Sequence, residues 1–177
     1  MTHVAFYTFG ILHEAGGHPQ VQGFRDRVPG VYEEAGRSPG YVTHRTGPAG
    51  GGHALGPRFF DPVYEHDVPL FLAPQTLSLW ADLDAVFAFS YRHAHAEALR
   101  LRREWFKKLD CPTYVAWWVA DGYLPEWPEA WERLEHLHDN GPTAHAFSFI
   151  MPYDAEGKPI RLMRGDRSEA VRGPHRK

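Results

Sequence analysis

A single cysteine, Cys111, stands in a chain of 177 residues. That excludes an intrachain disulfide framework and the small secreted scaffolds that depend on one. Long apolar runs are missing too, so no stretch reads as a bilayer-spanning helix. Net charge is slight: 22 acidic side chains against 19 basic ones give −3. A charge so small supplies no long-range pull towards nucleic acid or an anionic membrane. Met1-Thr2-His3-Val4 lacks the charged-then-apolar layout of a signal segment. The expectation is a cytoplasmic protein with neither a nucleic-acid nor a membrane partner.

Ligand-binding signatures are equally sparse. Gly50-Gly51-Gly52 is followed by no Gly-Lys-Ser/Thr, which excludes a phosphate loop. The twelve histidines form no His-Glu-x-x-His motif and no Cys/His cluster. His93 and His95, like His136 and His138, stand two residues apart and diverge on a helix. His44 and His145 meet only if the fold brings two strands together. No metal site is assigned on this basis. Cys111 precedes Pro112, has no evident activator and reads as an inert thiol.

What the chain has in quantity is aromatic surface: six Trp, eight Tyr and eleven Phe, within a composition 43% hydrophobic and 23% charged. Such a chain fits one domain with a substantial core. Val4–Phe9, Tyr41–Thr46, Thr76–Trp80, Thr113–Val119 and Ala144–Phe149 are β-prone runs and read as strands. Val21, Phe24, Val28, Val31, Tyr32 and Ala35 recur at helical spacing, and Pro29 among them predicts a kink or two short helices. Asp82 is a candidate N-cap for a helix with Leu83, Val86, Phe87 and Tyr91 inward. Pro128 suits the first turn of a helix carrying Trp127, Trp131 and Leu134 on one row, which Asn140-Gly141-Pro142 ends. Residues 47–67 are rich in Gly and Pro and read as an irregular, lid-like loop. Residues 151–177 hold seven basic and four acidic side chains and read as an irregular basic tail. The domain is expected over 1–150.

One stretch carries the site signal. Between Tyr91 and Phe106, helical spacing puts Ala94, Ala98, Leu101 and Trp105 on one row and His95, Leu99, Arg102 and Phe106 on the next. Glu97, Arg100 and Glu104 fall opposite. His95 and Arg102 then share a largely apolar side, about 10 Å apart along the axis. A charge turned inward needs a partner or a ligand. His95 is a candidate acid or base near neutral pH, Arg102 a candidate oxyanion holder, and Tyr91 a candidate hydrogen-bond donor. Trp80, Trp105, Trp117, Trp118 and His44 are candidate substrate-binding residues. Adjacent on a strand, Trp117 and Trp118 point to opposite faces.

Stripped of added helices, the order is βαββαβ with a further C-terminal strand. This is an α+β, ferredoxin-like split βαβ unit. Its helices cover one face of the sheet, and a second copy of the sheet is the expected cover for the other.

Specific residues then point to a family. Gly23-Phe24-Arg25-Asp26-Arg27-Val28-Pro29-Gly30-Val31, Ser38-Pro39-Gly40-Tyr41 and Leu77-Ser78-Leu79-Trp80 resemble a bacterial family described as a domain of unknown function. The likeness continues through Tyr91, His95, Arg102-Arg103-Glu104-Trp105-Phe106 and Ala116-Trp117-Trp118-Val119. It ends with Arg133-Leu134-Glu135-His136-Leu137-His138, Gly141-Pro142-Thr143 and Ala146-Phe147-Ser148-Phe149. The resemblance covers roughly residues 3 to 150. It implies the dimeric α/β-barrel superfamily of the antibiotic-biosynthesis monooxygenases, a homodimer, and a pocket between sheet and helices. It implies no single reaction.

Three functions fit. The first is a small-molecule enzyme doing acid–base or cofactor-free oxygenase or cyclase chemistry on an aromatic or polyketide-like substrate. The second is a haem b protein with His95 as axial ligand. The third is a non-catalytic ligand-binding or interaction module.

Overall fold

Val4, Phe6 and Thr8 alternate with Ala5, Tyr7 and Phe9, so β1 (Thr2–Phe9) offers apolar groups to both faces of a sheet. That pattern belongs to a strand covered on both sides, and β1 is central. In the computed structural model, which describes residues 1–15, 17–46, 56–57, 73–91 and 100–162, the other strands are β2 (Tyr41–His44), β3 (Gln75–Trp80) and β4 (Tyr114–Ala120). The sheet order is β2-β3-β1-β4, and every neighbouring pair is antiparallel. Val4 lies opposite both Trp80 and Trp118, and Thr8 opposite both Thr76 and Tyr114. This α+β arrangement is compatible with the ferredoxin-like fold.

Two helices cover the face that carries Val4, Phe6, Trp80 and Ala116. They are α1 (Pro19–Arg37), which contributes Ala35, and α2 (Leu83–Tyr91), which contributes Leu83 and Val86. Asp82 caps α2 as its position suggests, accepting from the Ala85 N–H at 2.8 Å. Pro29 does not divide α1, which runs unbroken through it. A division into two short helices is avoided, with Pro29 and Arg25 both exposed. The Arg25 carbonyl that proline leaves without a helical donor can therefore bond to water.

The opposite face is not bare. Ala5, Tyr7, Leu77, Leu79, Val115 and Trp117 are buried beneath α3 (Trp127–Asn140) through Trp127, Ala130, Leu134 and Leu137. Those four recur at three- and four-residue steps and form one stripe. Each large aliphatic side chain buried there stabilises the fold by roughly 1.5–3 kcal/mol. The sheet's second face is thus closed by its own chain rather than left for a second copy. Gly141, at φ 73°, stops α3 and donates to the Leu137 carbonyl at 3.1 Å.

The expected last strand is reduced to a single bridge. Ala116 and Phe147 exchange backbone hydrogen bonds of 2.8 and 3.0 Å. Thr143 and Ala146 meanwhile close a turn on each other, and Ser148 pairs with Met151, so the chain bends on both sides of the bridge. Nor does packing end at 150: Tyr153, Ile160 and Leu162 pack against the face held by α1 and α2. The rest of the expected tail lies outside the described residues, as does the 47–67 loop apart from residues 56 and 57. Among the described residues no helix is long and apolar enough to cross a membrane.

Candidate functional site

His95 falls within residues 92–99, outside the described residues. Arg102 is described, and it is exposed. The helical run 100–105 turns Leu101 and Trp105 inward, against Leu12, Val21 and Phe24. Phe106, from the second expected row, packs against the same cluster, 4.9 Å from the Phe24 ring, so among the described residues of that row only Arg102 faces out. An exposed position also spares the guanidinium most of the desolvation cost of burial.

The tryptophans do not converge on one pocket. Trp105 is buried in a separate small cluster, with the Arg27 guanidinium 5.4 Å from its ring centroid. Trp80 is buried and donates to the Ser78 hydroxyl at 2.9 Å. Trp117 and Trp118 take opposite faces as expected. Trp117 donates to Glu129 Oε1 at 2.9 Å beneath α3, and half-buried Trp118 donates to the Tyr153 carbonyl at 2.8 Å. His44 sits on β2, hydrogen-bonded to the Tyr41 hydroxyl, with its ring 5.0 Å from that of Tyr32. An open groove of about 510 Å³ between α1 and α2 is lined by Glu34, Arg37, Gly40, Asp82, Ala85 and Phe89. None of these is a candidate residue. Cys111 is half-buried, and burial pushes its thiol up, away from a reactive thiolate,.

Tyr91 does find companions. Expected inward, it ends α2 with half its surface (51%) exposed, because α2 buries Leu83, Val86 and Ser90 instead. Its ring lies 4.8 Å from Phe87 and 6.1 Å from Phe149. Phe149 in turn stacks on Phe6 at 5.2 Å and meets Tyr114 at 5.2 Å. Inside this wall the Tyr114 hydroxyl reaches those of Tyr91 and Ser148 and the backbone of Phe149. Burial, then the neighbouring Tyr91, raises the Tyr114 pKa above 10. Tyr114 therefore stays a neutral O–H donor at physiological pH. On the same sheet face, the Thr8 and Thr76 hydroxyls pair at 2.8 Å, in the cross-strand row that includes Tyr114. The sheet register makes this group, which sequence spacing alone does not bring together: Tyr114 and Ser148 lie on segments that the Ala116–Phe147 bridge sets side by side.

A second constellation lies on α3. Glu132 and His136, one turn apart, and His145, from the turn after Gly141, offer one ligand atom each within 4.8 Å of one another. The signal for it in the sequence is the i, i+4 spacing of Glu132 and His136, a spacing that places two side chains on one helix face.

The model of the family described as Domain of unknown function (DUF3291) matches residues 3–162. That span takes in all four strands, the three helices and the packed segment that ends at Leu162. No curated protein matches the chain.

Proposed function

The chain belongs to the DUF3291 family, a membership that names no chemistry, and we propose that it is a cytoplasmic small-molecule enzyme acting on a planar aromatic or polyketide-like substrate. One observation carries this reading: the Tyr91, Tyr114 and Ser148 hydroxyls gather inside a wall of Phe6, Phe87 and Phe149. An apolar surface with a few convergent polar groups suits a flat, oxygen-bearing ligand. Tyr91 is half exposed and so open to a ligand from solvent.

The reaction class is removal of a carbon-bound proton beside a carbonyl or phenol. His95, four residues beyond Tyr91 in the chain, takes that proton. Tyr114 donates its O–H to the oxygen that gains negative charge. This gives Tyr114 the oxyanion role first assigned to Arg102, whose side chain is exposed. With dioxygen as oxidant, the activated CH₂ carbon keeps one oxygen atom as C=O, and the other leaves as water with both hydrogens. Ferredoxin-like topology and the resemblance to cofactor-independent monooxygenases support the same class. Homodimerisation stays in this reading through that resemblance alone, since α3 covers the sheet face that suggested it.

Conversion of anthrone to anthraquinone, followed by absorbance and an oxygen electrode, tests the reading. The wild-type chain should exceed the buffer rate. Tyr114→Phe should lower the rate by roughly 10²-fold, the scale of one lost oxyanion donor, and His95→Ala by a similar factor. Wild-type turnover at the buffer rate sinks the oxygenase reading. Full activity in both variants, with native circular dichroism, sinks the site.

A further inference from the structure

We propose that Glu132, His136 and His145 form a binding site for one divalent transition-metal ion, of the zinc, nickel or copper type. Two imidazoles and a carboxylate make a three-ligand set whose fourth position opens to solvent, since Glu132 and His145 are exposed,. Their donor atoms already lie within 4.8 Å of one another. Tetrahedral ligation at about 2.0–2.2 Å needs them about 3.3–3.6 Å apart, a closure within reach of side-chain rotation on exposed residues.

The backbone fixes all three positions. Glu132 and His136 are one turn apart on the fourteen-residue helix α3. His145 rides on a turn closed by reciprocal Thr143–Ala146 bonds of 2.9 and 3.2 Å, and its own N–H donates to Thr143 Oγ1 at 3.2 Å. The two imidazole rings stand 4.7 Å apart, edge to face. Outer contacts are available as well: Thr143 Oγ1 lies 3.1 Å from His136 Nε2 and Asn140 Nδ2 lies 3.4 Å from His136 Nδ1, and the nitrogen that does not ligate keeps its partner while the other gives it up to the metal. Such second contacts orient ligating imidazoles.

The structure also sets the cost of binding. Arg133 Nη1 lies 2.8 Å from His145 Nδ1, so the metal-free ring carries its proton on Nε2, against Glu132 at 3.0 and 3.2 Å. A metal ion takes the place of that proton on Nε2. The ring is then protonated on Nδ1, so Arg133 Nη1 must turn away from it, while Arg133 Nη2 keeps its bond to Glu129 at 3.2 Å. A guanidinium so close opposes hard, weakly held cations. Ions that bond strongly to imidazole are selected over magnesium and calcium. Bound there, an ion would tie α3 to the segment that returns Phe147 to β4, and so stabilise the folded chain.

Titration of untagged, full-length protein with Zn²⁺ by calorimetry, and with Co²⁺ by visible absorption, tests the site. One Zn²⁺ per chain, an intense tetrahedral-type cobalt spectrum and a zinc-dependent rise in Tm are expected. Each should be lost in His136→Ala and His145→Ala and kept in His138→Ala. Glu132→Gln, at an exposed position, should weaken Zn²⁺ at least tenfold even if a histidine variant fails to fold. No Zn²⁺ uptake by the wild type, or uptake unchanged in Glu132→Gln and in the folded histidine variants, overturns the proposal.

Discussion

The guanidinium of Arg133 lies over the indole of Trp117, 5.8 Å from the ring centroid. Glu129 joins the two, since its Oε1 accepts from Trp117 Nε1 at 2.9 Å and from Arg133 at 3.2 Å. Its Oε2 accepts from the Tyr123 hydroxyl at 2.8 Å. One carboxylate thus satisfies a fully buried indole and balances a largely buried cation.

Removing that carboxylate should be costly. Glu129→Ala leaves the Trp117 N–H without an acceptor and Arg133 without its nearest counter-charge. A loss of about 2–4 kcal/mol is expected in urea unfolding. Glu129→Gln keeps one acceptor oxygen and should lose about half as much. A Glu129→Ala chain within 0.5 kcal/mol of wild type, a difference about the size of an ordinary surface substitution, would show that the network contributes nothing.

Gly40 gives a backbone test. It sits at φ 78°, and a Cβ added there would come within 2.5 Å of the Ala85 methyl. Gly40→Ala should destabilise by about 2–3 kcal/mol through left-handed strain and overlap together, a fall of roughly 5–10 °C in Tm. Adding Ala85→Gly removes the overlap and leaves the strain. The double variant should therefore recover only part of the loss, and full recovery would refute the backbone component.

Tyr7 gives a pH test. Burial raises its phenol well above 10, against a smaller lowering by Trp131, and its hydroxyl donates to Gln75 Oε1 at 2.6 Å. The unfolded chain loses that proton near pH 10 while the folded chain keeps it. The stabilising contribution is therefore complete below pH 10 and declines as pH rises above it. Tyr7→Phe should flatten the alkaline decline of the urea midpoint by up to one proton's worth, about 1.4 kcal/mol per pH unit. Equal slopes for both chains between pH 10 and 11 would contradict this.

Much of the fold was readable in the residues. The β1, β3 and β4 runs sit within a residue or two of their expected bounds, because alternating or continuous apolar patterns are local. The Asp82 cap and the Gly141 stop were readable for the same reason. Which face α3 would cover was not, since Trp127, Trp131 and Leu134 announce a buried row without saying what buries it. Packing of Tyr153, Ile160 and Leu162 was hidden because a segment of bridges and turns has no period. At the site, Tyr91 and Arg102 were both expected inward on helical spacing alone, and both are exposed. Tyr114 and Ser148 were missed as partners because only sheet register brings them together.

The central place of β1 has a temporal side. Its mates at Trp80 and Trp118 are made long after Val4. At a ribosomal pace of about 5–20 residues per second, β1 waits roughly 6–23 s for the strand that closes its second edge. For that interval β1, which carries apolar side chains on both faces, has an unpaired edge. A nascent-chain holdase should therefore change the yield of this protein more than its final stability.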